Sequence, residues 1–220
     1  MNILSLTEEN YLKAIYHLCG ESATGQTATN SIATYVHLKP ATVTDMLRKL
    51  RQKKLIHYKP YGKVHLTAEG NRQALIIVRK HRLWELFLYE KLEFTWDEVH
   101  EVAEQLEHIQ SPKLIDKLDK FLGHPAYDPH GDPIPDKDGN VKTIHKKTLS
   151  EIPAGQTCKI VAVKDSSALF LRHLMQLGLT ISSKIKVIER MAFDNSVIIQ
   201  HEKGKQLTLS NKLAENLFIV

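Results

Sequence analysis

The chain has 220 residues, of which 42% are hydrophobic, enough for a substantial core and too many for wholesale disorder. No apolar run approaches the ~20 residues needed to span a bilayer, and no basic n-region precedes an apolar stretch at the N-terminus, so a cytoplasmic protein without a signal peptide or membrane partner is expected. Two cysteines, Cys19 and Cys158, stand far apart and outside any CxxC, which argues against a disulfide framework and for core thiols. The net charge of +5 is unevenly placed: the first 65 residues hold nine Lys and Arg against four Asp and Glu, and the remainder is balanced. Between Arg48 and Lys63 there are seven basic residues and no acidic one, the footprint of a phosphate-binding face.

Residues 7–19 read as a helix, with Thr7 as N-cap, Glu8 and Glu9 in the first turn, and Tyr11, Leu12, Ile15 and Leu18 on one apolar stripe. A short helix is expected from Thr29 to Val36, then a turn at His37–Pro40. A third helix over 41–53 should bury Val43, Met46, Leu47 and Leu50. Its free face is polar and basic. Leu55–Tyr58 and Val64–Leu66 read as strands joined by the lysine-flanked turn Lys59–Lys63. Two short helices followed by a basic β-wing describe a winged helix-turn-helix. The third helix suits the major groove, with Thr42, Thr44 and Asp45 as candidates for base edges, Lys39 nearby, and Ala41, Arg48 and Lys49 in the same DNA-binding set. The wing lysines Lys59 and Lys63 are candidates for phosphate contacts.

Thr67–Gly70 opens a long helix to about Leu92 that is apolar on more than one face, the pattern of a helix that also forms a subunit interface. Thr95–Glu98 reads as a capping box for a further helix that Ser111–Pro112 ends. On that helix Val99, Val102, Ala103, Leu106 and Ile109 form an apolar stripe, and His100, Glu104, Glu107 and His108 form an arc beside it. His81 and Glu85 lie one turn apart on the preceding helix. Imidazoles and carboxylates without thiolate, on two consecutive helices, suit Mn(II), Fe(II), Co(II), Ni(II) or Zn(II); a single His–Glu pair would be no more than a surface charge pair. A closing helix is expected over 113–122. In Gly123–Asn140, His124, Asp128 and His130 read as turn residues rather than ligands, because no helical spacing aligns them. From Thr148 onward short strands alternate with turns around a helix from Ser167 to Gln176, which predicts a small β-barrel.

TEENYLKAIYHL, KPATVTDMLRKL, the wing, LTAEG, RKHRLWELFL, VHEVAEQLEHI and PHGDPIP together resemble the iron- and manganese-dependent repressors of the diphtheria toxin repressor type, including the manganese transport regulators. The resemblance covers about the first 135 residues, and LRHLMQLGL with ISSKIKV is similar to the SH3-like (FeoA-type) domain that many members carry. It implies a mainly α N-terminal part, with a winged-helix DNA-binding domain over 1–70 and a helical dimerisation and metal-binding domain over 71–140, followed by a small all-β SH3-like barrel over 148–220. It further implies a homodimer that binds a double-stranded DNA operator when Mn(II) or Fe(II) is present, with one or two ions per subunit, and represses metal-uptake genes. No catalysis and no small organic substrate are expected. By position, His81, Glu85 and His100 match ligands of one site, and Glu104, Glu107 and His108 match those of another or of a shared binuclear cluster. Asn10 falls where the family has a methionine or aspartate ligand, Lys13 where manganese members have a glutamate, and Glu104 where iron-type members have a cysteine. Ser167 and Phe170 stand near positions from which the SH3-like domain of some members lends ligands, so that contribution is expected to be missing. The competing readings are a winged-helix regulator of another signal with a structural His/Glu cluster, a metalloenzyme on the same helices, and a scaffold whose SH3-like domain binds a proline-rich peptide.

Overall fold

The computed structural model describes residues 4–59, 62–141, 147–201 and 204–220. The chain forms two compact units. One comprises residues 1–81, 104–112 and 135–140, and the other 82–103, 113–134 and 141–220.

In the first unit α1 (Leu6–Glu21), α2 (Thr29–Tyr35), α3 (Pro40–Gln52), β1 (Ile56–Tyr58) and β2 (Val64–Leu66) build the winged helix-turn-helix. The N-cap of α1 is Ser5 rather than Thr7. Ser5 Oγ accepts the Glu8 N–H, and the Glu8 carboxylate accepts the Ser5 N–H, a reciprocal box that satisfies two otherwise orphaned donors. Pro40 occupies the first turn of α3, where its missing N–H costs nothing. Tyr11, Leu12, Ile15, Ile32, Val43, Leu47 and Leu50 close the core between these helices, while Met46 is only partly buried. β1 and β2 pair antiparallel, with His57 opposite His65. Of the expected wing turn, Pro60 and Tyr61 lie outside the described residues.

α4 (Ala68–Lys91) is continuous over 24 residues and runs through both units. Its start is fixed by Thr67, whose hydroxyl donates to the Lys54 carbonyl and accepts the Gly70 N–H. Gly70 is required there: a Cβ would sit 1.8 Å from the Leu55 carbonyl oxygen. α5 (Val99–Leu106) is shorter than its sequence pattern suggests. The chain leaves the helix at Glu107, whose side chain is fully buried and hydrogen-bonded, so Glu107 and His108 sit in a turn rather than on a helical arc. α6 (Pro112–Phe121) follows.

The second unit contains a six-stranded antiparallel sheet of order β3-β8-β4-β5-β6-β7, where β3 is Lys147–Thr148, β4 Thr157–Val163, β5 Lys184–Arg190, β6 Val197–His201, β7 Gln206–Leu209 and β8 Leu217–Ile219. α7 (Ala168–Leu177) has Ser167 as N-cap and Gly178 in the left-handed region as C-cap, and a short α8 (Asn211–Glu215) precedes β8. Register shifts between Ile160 and Ala162 and between Val187 and Glu189 mark bulges, which bend strands. Leu149, Ile160, Leu171, Leu174, Val187, Ile199 and Leu217 form the core of this unit, and Trp96 packs into it. Both thiols are held above their ordinary pKa by burial. Cys158 is buried, and the partly buried Cys19 donates to the Val64 carbonyl at 3.7 Å.

Candidate metal centre and DNA-facing surface

In the first unit, α1, the middle of α4 and the turn after α5 converge on buried charge. Glu107 is wholly inaccessible. Its Oε2 accepts from Lys13 Nζ at 2.7 Å and from His81 Nδ1 at 2.5 Å, while its Oε1 is buried with no hydrogen-bond partner. Burial alone would raise the Glu107 pKa, but the hydrogen bond from His81 and the charge of Lys13 outweigh it and hold the carboxylate below its ordinary value. Lys13 also reaches Glu104 Oε1 at 3.3 Å, where Glu104 is half exposed.

His108 is positioned by Glu9, whose Oε2 lies 2.6 Å from the ring Nδ1. A carboxylate can only accept, so Nδ1 carries the proton of this bond, and Nε2 is the nitrogen left to face an ion. Nε2 lies 3.9 Å from Glu107 Oε1. Donors on one six-coordinate ion with bonds near 2.1 Å are separated by roughly 3–4.2 Å. An imidazole backed by a carboxylate beside an orphaned carboxylate oxygen is the arrangement in which a histidine serves as a metal ligand. Glu9 also accepts from Gln110 at 2.7 Å, and Lys80 Nζ lies 4.0 Å away. Burial pulls the Lys80 pKa down against the opposing influence of Glu9 and Glu107. The donor set therefore fits a divalent cation in chemistry and burial, Lys13 being the member that does not.

Of the two ligand sets that the resemblance implies, this neighbourhood gathers Glu104, Glu107 and His108 together with His81 from the other, and the sequence did not single out Glu9, which read only as a favourable first-turn charge. Asn10 is exposed on α1, and it is Glu9 and Lys13 that turn inward.

The second unit holds a further group. Glu85 and His130 are both buried. Glu85 Oε1 lies 3.1 Å from His100 Nδ1 and 3.7 Å from His130 Nε2. Neither ring nitrogen of His130 has a hydrogen-bond partner. The ring stacks on Trp96, with centroids 5.8 Å apart. Asp128 Oδ1 accepts the N–H groups of His130 and Asp132, and Arg82 flanks its other oxygen at 3.4 Å. Burial pushes the Asp128 carboxyl up to about 7, with Glu85 and Asp132 adding to the effect and Arg82 opposing it. Asp128 and His130 shape a turn, as expected, and both are buried beside Glu85. His124 is exposed and paired with Asp119 at 2.7 Å.

On the winged helix, Lys39 is the N-cap of α3, and Ala41, Thr42, Asp45, Arg48 and Lys49 are exposed along it. Thr44 is partly buried, and its hydroxyl donates to the Pro40 carbonyl. Arg48 pairs with Asp45 at 3.2 Å. Lys59 and Lys63 are exposed at the roots of the wing. A cleft of about 450 Å³ between α3 and the wing is lined by Asn30, Ala41, Thr44, Arg48, Tyr58 and Gly62.

Comparison with known proteins agrees with this layout. Residues 3–64 match the N-terminal DNA-binding domain of iron-dependent repressors, 67–136 their metal-binding and dimerisation domain, and 147–220 the FeoA domain. The iron-dependent repressor IdeR of Mycobacterium bovis is 31% identical over 168 residues, 73% of this chain and 72% of that protein. The chain belongs to the iron-dependent repressor family. IdeR of Mycobacterium leprae is 29% identical over 97% of this chain and 96% of its own length. Among solved structures, a manganese-dependent transcriptional repressor in complex with manganese superposes with a TM-score of 0.85 at 33% identity, covering 97% of this chain and 99% of that one. These relatives are named as repressors, and no helix among the described residues is long and apolar enough to cross a membrane.

Proposed function

We propose that this protein is a homodimeric repressor that senses Mn(II) or Fe(II) and, when loaded, binds operators of metal-uptake genes. The observation that carries the reading is the buried, unpartnered Glu107 Oε1 facing the Nε2 side of a histidine whose other nitrogen is held by Glu9. A carboxylate oxygen left orphaned in a protein interior is costly unless a cation or proton completes it. Glu104, Glu107 and His108 would hold one ion. Glu85 and His100 are the basis of a second, with His81 one turn before Glu85 on α4 and His130 beside Glu85. Asn10 stays outside the set, and Glu9 is the contribution of α1, acting through His108. Nitrogen and oxygen donors without thiolate favour the harder first-row ions, consistent with manganese or ferrous iron.

The chemistry supplied by a bound ion is positive charge among these carboxylates. Glu9 orients the imidazole, His81 fixes the second oxygen of Glu107, and burial keeps Glu107 from solvent. DNA affinity rises only as far as the ion binds the DNA-competent arrangement more tightly than the alternatives. In the dimer, the exposed Tyr89, Leu92, Leu114 and Phe121 of the dimerisation-domain segment supply apolar surface to cover. The exposed row on α3 reads bases, and Lys39, Lys59 and Lys63 contact phosphates. The test is operator binding by fluorescence anisotropy in buffered free Mn(II) and, anaerobically, Fe(II). Affinity is expected to rise at least tenfold over the chelated protein, and equal affinity with chelator and with either metal refutes the reading.

A further inference from the structure

A cation already stands among the proposed ligands. Lys13 is 7% exposed, and its ammonium bridges Glu107 and Glu104. We infer that Lys13 is a tethered internal counter-ion that occupies the carboxylate pair in the metal-free protein and must be expelled for a divalent ion to bind there, so that it sets the metal threshold of the sensor. The inference rests on the metal-sensing reading above.

Charge makes the case. Glu9, Glu104 and Glu107 face Lys13 and Lys80 in this cluster, leaving one net negative charge with neutral histidines. A divalent ion added with Lys13 in place makes the group net positive and sets an ammonium against the ion at contact range, in surroundings that screen poorly. With Lys13 withdrawn, the same group is neutral. Geometry agrees: the ammonium lies against Glu107 Oε2 and Glu104 Oε1, so an ion bound by both residues shares this carboxylate pair with it. Lys80 differs. Its ion pair is with Glu9, at 4.0 Å. The side chain of Lys13 is long and unbranched, so its head group can leave without moving α1. Expulsion opposes every divalent ion alike, which raises the threshold without choosing the metal.

The test uses the full-length protein stripped of metal. Free Mn(II) is followed by its electron paramagnetic resonance signal, and Co(II) binding by calorimetry, in wild type, Lys13→Gln, Lys13→Arg and His108→Ala. Lys13→Gln is expected to bind both ions at least tenfold more tightly, and Lys13→Arg to stay near wild type. His108→Ala, which leaves the Lys13 contacts intact, is expected to lose the site. An unchanged or weaker Lys13→Gln, or a gain confined to one metal, overturns the inference while the metal-sensing reading stands. If His108→Ala binds as wild type does, the reading fails and the inference falls with it. Should Lys13→Gln not fold, acetylation of wild-type lysines read by mass spectrometry decides the question. Labelling of Lys13 should rise several-fold on adding Mn(II), and no rise overturns the inference.

Discussion

Lys13 Nζ lies 2.7 Å from Glu107 Oε2, and both side chains are buried. Removing one partner of such a pair strands the other charge away from water. In the metal-free protein Glu107→Gln should cost about 3 kcal/mol of stability. The double variant Lys13→Met/Glu107→Gln should recover most of it. Urea midpoints of the two single variants and the double give the coupling energy, and simple additivity would rule out the pair as a structural unit.

Glu9 touches the proposed ion only through His108. Glu9→Gln should therefore weaken Mn(II) binding by about 10–100-fold, the usual effect of losing the carboxylate behind a ligating imidazole, without removing a ligand. Calorimetry reads the affinity. Asn10→Ala, on the exposed side of the same helix, should leave it unchanged.

Gly131 carries φ +81°, and a Cβ there would lie 1.9 Å from the Val161 carbonyl oxygen. The neighbouring His130 carbonyl accepts the Val163 N–H at 3.1 Å. Gly131→Ala must lift this loop from β4 and take the His130 ring off Trp96. The expected readouts are changed Trp96 fluorescence and a loss of about 1–3 kcal/mol in thermal stability. Wild-type behaviour in both would show that the close approach is not required.

The Glu8 carboxylate binds Lys53 at 2.7 and 2.8 Å and caps α1. Burial alone would raise its pKa, yet Lys53 and Ser5 lower it below 4.5. A depressed carboxylate pKa means that the unfolded chain takes up the proton first. The contribution is whole above about pH 4.5 and is lost as pH falls through the folded-state value. Glu8→Gln should flatten this part of the acid limb, measured as urea stability between pH 3 and 6. A limb as steep as that of wild type would place the dependence elsewhere.

On DNA the two classes of contact should separate. Lys63→Ala is expected to weaken binding to all sequences and reduce the salt slope by about 1. Thr42→Ala, at the exposed start of α3, should relax preference at one base pair by about 1–3 kcal/mol and leave the salt slope alone. Thr44→Ala should do less, because its hydroxyl is already turned to the Pro40 carbonyl. Anisotropy titrations at several salt concentrations distinguish these outcomes.

The winged helix was legible because its signals are local: Pro40 at a helix start, apolar stripes on α1 and α3, and a lysine-flanked turn between strands. His81 with Glu85, and His100 with Glu104, Glu107 and His108, stood out in the sequence because chemically matched residues recur at short spacing. The spacing did not reveal that α5 stops at Leu106, since burial of Glu107 against α1 and α4 is a tertiary event. For the same reason Glu9 looked like a dipole-compensating residue, Lys13 like a departure from a pattern, and His130 like part of a turn. Each acquires its role from a partner at least 26 residues away, the shortest of these separations being that between His81 and Glu107. β3, α8 and β8 are five residues or fewer and carry no periodicity to read.

Neither cysteine is a member of the carboxylate–imidazole cluster, and burial raises the pKa of both thiols. The thiolate is the form that peroxide attacks, so neither sulfur is a ready target. Ferrous iron and peroxide generate damaging oxidants when they meet, and a regulator with an exposed reactive sulfur would confuse oxidative stress with metal supply. With its thiols kept out of that chemistry, a sensor of the proposed kind would report ion abundance on a channel insulated from the redox state of its surroundings.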